Sequence, residues 1–417
     1  MKVAGFIANR IAFNQQQSFS RFIIRLSVAA TVISVAVMII TLAFANGFQA
    51  TVSQKVFSFW GHIRIQEKQP DKAVIAEESP ITANDSLINV IRQQPEVESI
   101  HPFATKYALL KTKEDMEGVL IKGFDSSNHF EHLRPFITEG RPPVLTDTGY
   151  SREIMISAFT AKQLKLKVND RPFIYVMKPG AAEDDEDKIK VNRLTVCGIY
   201  KTGIEEYDKT FAIADLRLIR KMYQWNADDV GGYEIFLHDY NKIDTTVESI
   251  YELPGFPATW NTVSVKNISP NIFDWLAMQD VTRNVLIGFM VIVAVINLIT
   301  CLIILVLERI RMVGILKALG ADDFTIQNIF LRHALIITVT GIVLGAILGL
   351  GVLYLQQYTG FIKLNEEAYY MSTAAVKIVW WQVGAICAFT FLVCVAVLMV
   401  PTFLIRKIQP VNAIRFR

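Results

Sequence analysis

The sequence predicts a membrane α-helical protein: four transmembrane helices in a 1+3 arrangement, with a large α+β extracytoplasmic domain inserted between helices 1 and 2. Three observations predict it. Leu26–Phe48, Val285–Leu307, Ala334–Leu355 and Ile378–Ile405 contain no Asp, Glu, Lys or Arg, and about 20 apolar residues span a bilayer core of roughly 30 Å. The stretch 49–277 holds 27 Lys+Arg and 33 Asp+Glu, against 15 and 6 in the rest of the chain. The mean hydropathy of +0.33 therefore averages two populations, and one of them is an ordinary, mildly acidic globular insert. Basic residues also gather at particular span ends: Lys2, Arg10, Arg21 and Arg25 before the first, Arg309, Arg311, Lys317 and Arg332 between the second and third, and Arg406, Lys407, Arg415 and Arg417 after the fourth. The positive-inside rule then places both termini and the 308–333 loop in the cytoplasm and the insert outside.

Taken in order, residues 1–21 read as an amphipathic cytoplasmic helix, with Val3, Phe6, Ile7, Ile11 and Phe13 at helical spacing. Transmembrane helix 1 is 22–48. Its apolar run is too long for a signal-peptide core, so it reads as a retained anchor. The α+β domain is 49–277. Strand patterns recur at Gly61–Gln66, Ser99–Pro102, Tyr107–Lys111, Glu117–Lys122, Ile154–Ile156, Phe173–Val176, Arg193–Tyr200, Thr210–Ile213 and Tyr233–His238. Leu87–Gln94 reads as a helix stopped by Pro95, and Asp215 as the N-cap of the helix Asp215–Tyr223. The stretch 105–200 reads as a candidate subdomain inserted into the rest. Transmembrane helix 2 is 278–307, the cytoplasmic loop 308–333, helix 3 334–355, a charge-balanced outer loop 356–377, helix 4 378–405 and the tail 406–417. Helix 3 carries Gly341, Gly345 and Gly349 at every fourth position, a flat face for close helix packing. Asn297, the strongly polar residue of helix 2, reads as a helix–helix hydrogen bond.

Catalysis finds little support. Six His are scattered, and His129 and His132 form the one close pair, too few for a zinc site. No Gly-x-Ser-x-Gly elbow and no Gly-x4-Gly-Lys-[Ser/Thr] occurs. The chain therefore carries no cofactor or metal site of its own and cannot cradle ATP phosphates. Of the four cysteines, Cys197 alone lies in the domain, so no disulfide forms there. The mildly acidic insert gives no ground for a nucleic-acid partner.

The sharpest motif is Gly314-Ile315-Leu316-Lys317-Ala318-Leu319-Gly320-Ala321-Asp322-Asp323-Phe324, preceded by Glu308. It reads as a helix leaving the membrane, broken at Gly320, with a second helix starting at Asp322–Asp323 and running into helix 3. Ile315, Leu316 and Leu319 have no use in a solvated turn. Docking into a partner's groove and lying on the membrane surface suit them equally.

This segment resembles the cytoplasmic loop of ABC-transporter permeases of the MacB/FtsX/LolC–LolE superfamily, matching at Glu308, Gly314, Ile315, Leu316, Leu319, Gly320 and Ala321. The 1+3 layout, the large insert and the end Pro410–Arg415 are similar to the same superfamily, and Phe44, Asn46, Gly47 and Phe48 closing span 1 are similar to its LolC/LolE branch. The resemblance implies that Gly314–Phe324 couples to a separate ATPase present in two copies, which binds ATP and Mg. It implies a second permease, either the same chain or a paralogue. It further implies a bacterial inner-membrane location with the domain in the periplasm, and extraction of lipoproteins towards a periplasmic chaperone. Acyl chains would lie among Met38, Leu42, Phe44, Phe48, Leu286, Phe289, Met290 and Val293, residues equally at home against lipid or another helix. The chaperone would dock at the polar excursion containing Pro179, Gly180, Glu183, Asp184 and Asp185, whose acidic run departs from that branch and also reads as a solvated loop tip or a cation site. MacB-like export and FtsX-like mechanotransmission to cell-wall hydrolases use the same loop and stand as the alternative.

Overall fold

The computed structural model describes residues 19–68, 77–127, 130–145, 149–177, 189–308 and 310–406. The predicted helix 1–21 therefore lies outside the described residues up to its last turn, as does the tail beyond Arg406. Two compact units emerge: Thr51–Asp274 together with Leu364–Ser372, and the membrane-helix unit formed by the rest.

The membrane unit is built on long helices. The first runs without a break from Phe19 to Trp60, 42 residues or roughly 63 Å. Ending the span at Phe48 marks where the hydropathy falls, not where the helix stops. Nothing in Gln49–Trp60 breaks a helix, and the chain turns only at Gly61, whose φ is +68°. The second helix is Pro270–Glu308, a shorter one follows at Ile310–Ala318, the third is Asp323–Thr359 and the fourth Trp380–Arg406. The third helix thus starts eleven residues before the predicted 334 and outlasts 355, because Asp322 caps it and Gly360 (φ +59°) ends it. Among the described residues, three helices are long and apolar enough to cross a membrane: Ile24–Trp60, Pro270–Cys301 and Asp323–Thr359.

The glycine face does pack closely. A Cβ built on Gly341 would lie 2.7 Å from Thr31 Cγ2, and one on Gly345 2.8 Å from the Val32 carbonyl oxygen. One on Gly349 would lie 3.1 Å from the Ala36 carbonyl oxygen, and Gly47 of the first helix abuts the Ala375 backbone in the same way. Asn297 Nδ2 donates to the Ser27 carbonyl oxygen at 3.1 Å and to Ser27 Oγ at 3.2 Å, the helix–helix bond its position implied.

The other unit is an α+β domain around one large mixed sheet. Its strands are β1 (Ile63–Glu67), β2 (Ile81–Thr82), β3 (Val97–Lys111), β4 (Met116–Phe124), β5 (Ile137–Gly140), β6 (Glu153–Ser157), β7 (Phe173–Met177), β8 (Ile189–Arg193), β9 (Thr195–Tyr200), β10 (Phe211–Asp215), β11 (Asp229–Val230), β12 (Gly232–Leu237) and β13 (Trp260–Ser264). The order is β13-β1-β12-β3-β4-β10-β6-β9-β5, with β7 and β8 branching from β3 and β2–β11 forming a separate pair. Among the described residues no separate subdomain emerges at 105–200. β3 runs through the proposed boundary as a single strand, pairing with β12 along its first half and with β4 and β7 along its second. Ile243–Tyr251 forms a helix, and Asp215 caps its own helix by accepting from the Arg217 N–H at 2.8 Å.

Candidate functional site

The motif Gly314–Phe324 folds as an elbow. The helix Ile310–Ala318 ends in two local hydrogen bonds, Ala321 N–H to the Leu316 carbonyl oxygen at 2.9 Å and Gly320 N–H to that of Lys317 at 3.0 Å. This is the Schellman arrangement that glycine at positive φ permits, and Gly320 stands at +87°. Asp322 then accepts from the Thr325 N–H, and Lys317 Nζ lies 2.8 Å from Asp323 Oδ1 across the bend.

The bend sorts the motif into two faces. Val313, Ile326 and Phe330 are buried with Leu298, Val306 and Ile337, and Leu316 and Ala321 pack against them. Ile315, Leu319 and Phe324 point away, 53%, 79% and 70% exposed. Gly314 is buried, while Ala318 and Asp322 are exposed. Three large apolar side chains left outside by a bend that has already formed its own core are unusual unless something covers them.

The residues predicted for an acyl-chain cavity divide. Met38 is 1% exposed and packed among Val35, Ile39, Ile342 and Ile386, with Leu42, Phe44 and Met290 lying partly buried against the same cluster. Phe48 meets Trp275 edge-on at 4.9 Å. Leu286, Phe289 and Val293 are exposed. Phe289 belongs to a longer stripe, Val281, Val285, Phe289, Ile292 and Ile296, spaced to share one face of the second helix. The structure therefore puts Met38 in a packed interior and Phe289 on an open face. Pro179, Gly180, Glu183, Asp184 and Asp185 lie outside the described residues. The strands on either side of them, β7 and β8, pair as a hairpin whose last register is Met177 opposite Ile189.

Sequence reasoning missed a buried charge cluster at the end of the first helix. Lys122 Nζ lies 2.6 Å from Glu234 Oε1 and donates to the Phe59 carbonyl oxygen. Arg64 lies 3.5 Å from the same Glu234 oxygen and 2.9 Å from Glu78, which also accepts the Thr105 N–H at 2.7 Å. The Arg64 guanidinium sits 3.9 Å from the Phe103 ring centre. Burial pushes the Lys122 ammonium down to about 8 against the opposing pull of Glu234, and burial raises Glu78. Nearby, burial and the neighbouring His132 hold His62 near 4, so its ring is neutral. Its Nδ1 accepts the Leu237 N–H at 3.0 Å. The only hint in the sequence is a charge inside an apolar strand, Ile63-Arg64-Ile65 and Ile121-Lys122-Gly123. Among the described residues no group of three His, Cys, Asp or Glu could hold a metal.

The model for the MacB-like periplasmic core domain matches residues 26–250, and that for the FtsX-like permease C-terminal region matches 284–410. The chain is similar to the lipoprotein-releasing system transmembrane protein LolC of Haemophilus influenzae, 22% identical over 400 residues that cover 95% of this chain and 94% of that protein. It is similar also to LolE of the same organism, 20% identical over 417 residues and 96% of each. Among solved structures, the extracellular domain of the noncanonic ABC-type transporter YknZ from Gram-positive bacteria has 14% identity and a TM-score of 0.32, covering 48% of this chain and 99% of that one. The periplasmic-core match spans more than half the chain, and the permease match takes in the elbow and the helices around it. With its membrane helices and its large periplasmic α+β domain, the chain belongs to the MacB/FtsX superfamily of ABC-transporter permeases.

Proposed function

We propose that this chain is the permease subunit of an ABC transporter that extracts lipoproteins from the bacterial inner membrane and passes them to a periplasmic chaperone. The observation that carries the reading is the end-to-end similarity to LolC and LolE, proteins named for lipoprotein release. In this reading the chain crosses the membrane four times, Trp380–Arg406 being the fourth span. It is not itself the enzyme. Two copies of a partner ATPase bind ATP and Mg and seat the elbow, where the exposed Ile315, Leu319 and Phe324 supply an apolar plug held at a fixed bend by Gly320 and the Lys317–Asp323 pair. A second permease, either this chain or a paralogue, completes the unit. The open stripe around Phe289, with Leu286 and Val293 beside it, faces the acyl chains. The chaperone docks at Pro179, Gly180, Glu183, Asp184 and Asp185.

The test is release from proteoliposomes containing this chain, its co-purifying ATPase and a triacylated lipoprotein, with a soluble periplasmic acceptor and ATP. ATP-dependent appearance of lipoprotein in the supernatant, abolished by disrupting Gly314–Ala321, is expected. The match of residues 26–250 to the MacB-like core domain favours a second reading, mechanotransmission of the MacB or FtsX kind driving export or cell-wall hydrolases. ATP hydrolysis with no lipoprotein released to any of several acceptors would select it.

A further inference from the structure

The short connection between the third and fourth helices behaves unlike its neighbours in the chain. Residues 364–372 group with the periplasmic domain, while the residues on both sides group with the membrane helices. The Leu364 N–H donates to the Ser372 carbonyl oxygen at 3.0 Å, closing the segment into a loop of its own. Inside it, Glu366–Tyr369 makes one helical turn, Tyr370 takes a left-handed φ of +57° and Met371 is buried. A tyrosine adopts that backbone at a cost, so surrounding contacts must hold it there.

Two lysines of the domain hold it. Lys55 Nζ, near the end of the first helix, donates to the Tyr370 carbonyl oxygen at 2.6 Å and also to that of Thr202. Lys201 Nζ lies 2.5 Å from Glu366 Oε2. The receiving surface is preformed. Asp208 accepts the Thr202 and Gly203 N–H groups at 2.9 and 3.0 Å, which fixes the turn. Gly203, at φ +76°, leaves room that a Cβ would take from Glu366 and Lys55. The grip is nevertheless light. Lys201 and Glu366 are both substantially exposed, and ion pairs of that kind contribute little more than thermal energy. Beside the segment is a cavity of about 660 Å³ lined by Phe159, Lys162, Lys201, Asp208 and Glu366. The Arg64–Glu78–Glu234–Lys122 cluster is the opposite case, closed to water on every side.

We propose that residues 364–372 form a releasable strap, clipped to the periplasmic domain by Lys55 and Lys201 and let go when the third and fourth helices, to which its two ends connect, are displaced. The buried cluster is a permanent joint, and the strap is the joint that opens. The release step rests on the proposed ATP-driven function; the seating of the strap does not.

The experiment places a single thiol in a cysteine-free background of the full chain in nanodiscs, Met371→Cys, and measures its labelling by a soluble maleimide. Slow labelling is expected in the clipped state. Lys201→Met or Glu366→Gln should each raise the rate roughly two- to fivefold, the worth of one exposed ion pair. Raising salt should do the same in the parent and much less in Glu366→Gln. A rate as fast as that of an exposed control site, or one insensitive to both variants and to salt, overturns the strap. In the complete assembly, a K201C/E366C disulfide should leave ATP hydrolysis intact and stop lipoprotein release until a reductant is added. Unimpeded release with the disulfide closed overturns the opening step. If the parent assembly releases no lipoprotein, the proposed function falls, while the labelling still decides whether the strap is seated, and ATP-dependent labelling at 371 decides whether it opens.

Discussion

Lys122→Met tests the internal joint of the periplasmic domain. Lys122 lies 2.6 Å from Glu234, and Arg64 lies 3.5 Å from it. At an effective dielectric constant of about 20, those separations correspond to gross attractions of roughly 6 and 5 kcal/mol. Methionine fills the space of the alkyl stem but removes the first attraction and the donor to the Phe59 carbonyl oxygen. Breaking a buried pair costs about 3–5 kcal/mol, and the retained Arg64 puts this case near 3 kcal/mol. The change should be local, so hydrogen exchange of the full chain is the assay. Peptides covering Gly232–Leu237 and Phe59–Ile63 should exchange about 100-fold faster, and those covering Thr195–Tyr200 should change little. Lys122→Met combined with Glu234→Leu should cost less than Lys122→Met alone, because Arg64 then faces Glu78 alone and no excess negative charge is left in the interior. Exchange in Gly232–Leu237 within threefold of the parent, or a double variant worse than the single, would refute the account.

Three further outcomes are expected. His62 is held near 4 in the fold and titrates at about 6.5 when unfolded, so the unfolded chain binds the extra proton; stability is full above pH 6.5 and falls as the pH drops towards 4. The loss between pH 6.5 and 5 should be about 1.5 kcal/mol, and His62→Gln should flatten that slope in acid-unfolding curves. Gly345→Leu should destabilise the helix unit by roughly 1–3 kcal/mol, seen as a lower Tm in detergent. Gly351→Leu, where nothing lies within 4 Å of an added Cβ, should not. If the elbow couples to an ATPase as proposed, Leu319→Ser with Phe324→Ser should leave thermal stability within about 0.5 kcal/mol of the parent and weaken ATPase co-purification roughly tenfold or more; undiminished co-purification would refute the proposed coupling role of the elbow.

The parts of this fold that were readable in the sequence obey local rules. Apolar runs without charge disclose membrane helices, and a Gly320 followed by Asp322 discloses a helix end and a helix start, because both act over four or five residues. Features depending on distant partners stayed hidden. Gln49–Trp60 mixes polar and apolar residues, which reads as the start of a globular domain although no residue there stops a helix. Pro102 reads as a strand end, but β3 passes through it just where its pairing changes from β12 to β4. Arg64, Glu78, Lys122 and Glu234 are far apart along the chain, so nothing local marks them as one cluster. Of the elbow, the position and the break were legible. The division between the buried Val313 and the exposed Leu319 needed the core that the second and third helices supply.

The glycines at 341, 345 and 349, with Gly47 opposing Ala375, have a consequence for compliance. Side chains between two helices act as springs, since each can change rotamer and absorb a small displacement. Here backbone meets side chain stems and carbonyl groups with no such cushion, at three points spread over roughly 12 Å of the third helix. A push on one member of this pair arrives at the other nearly undiminished. In the proposed function, with drive and load on opposite sides of a membrane, stiffness of that kind serves better than a stronger bond.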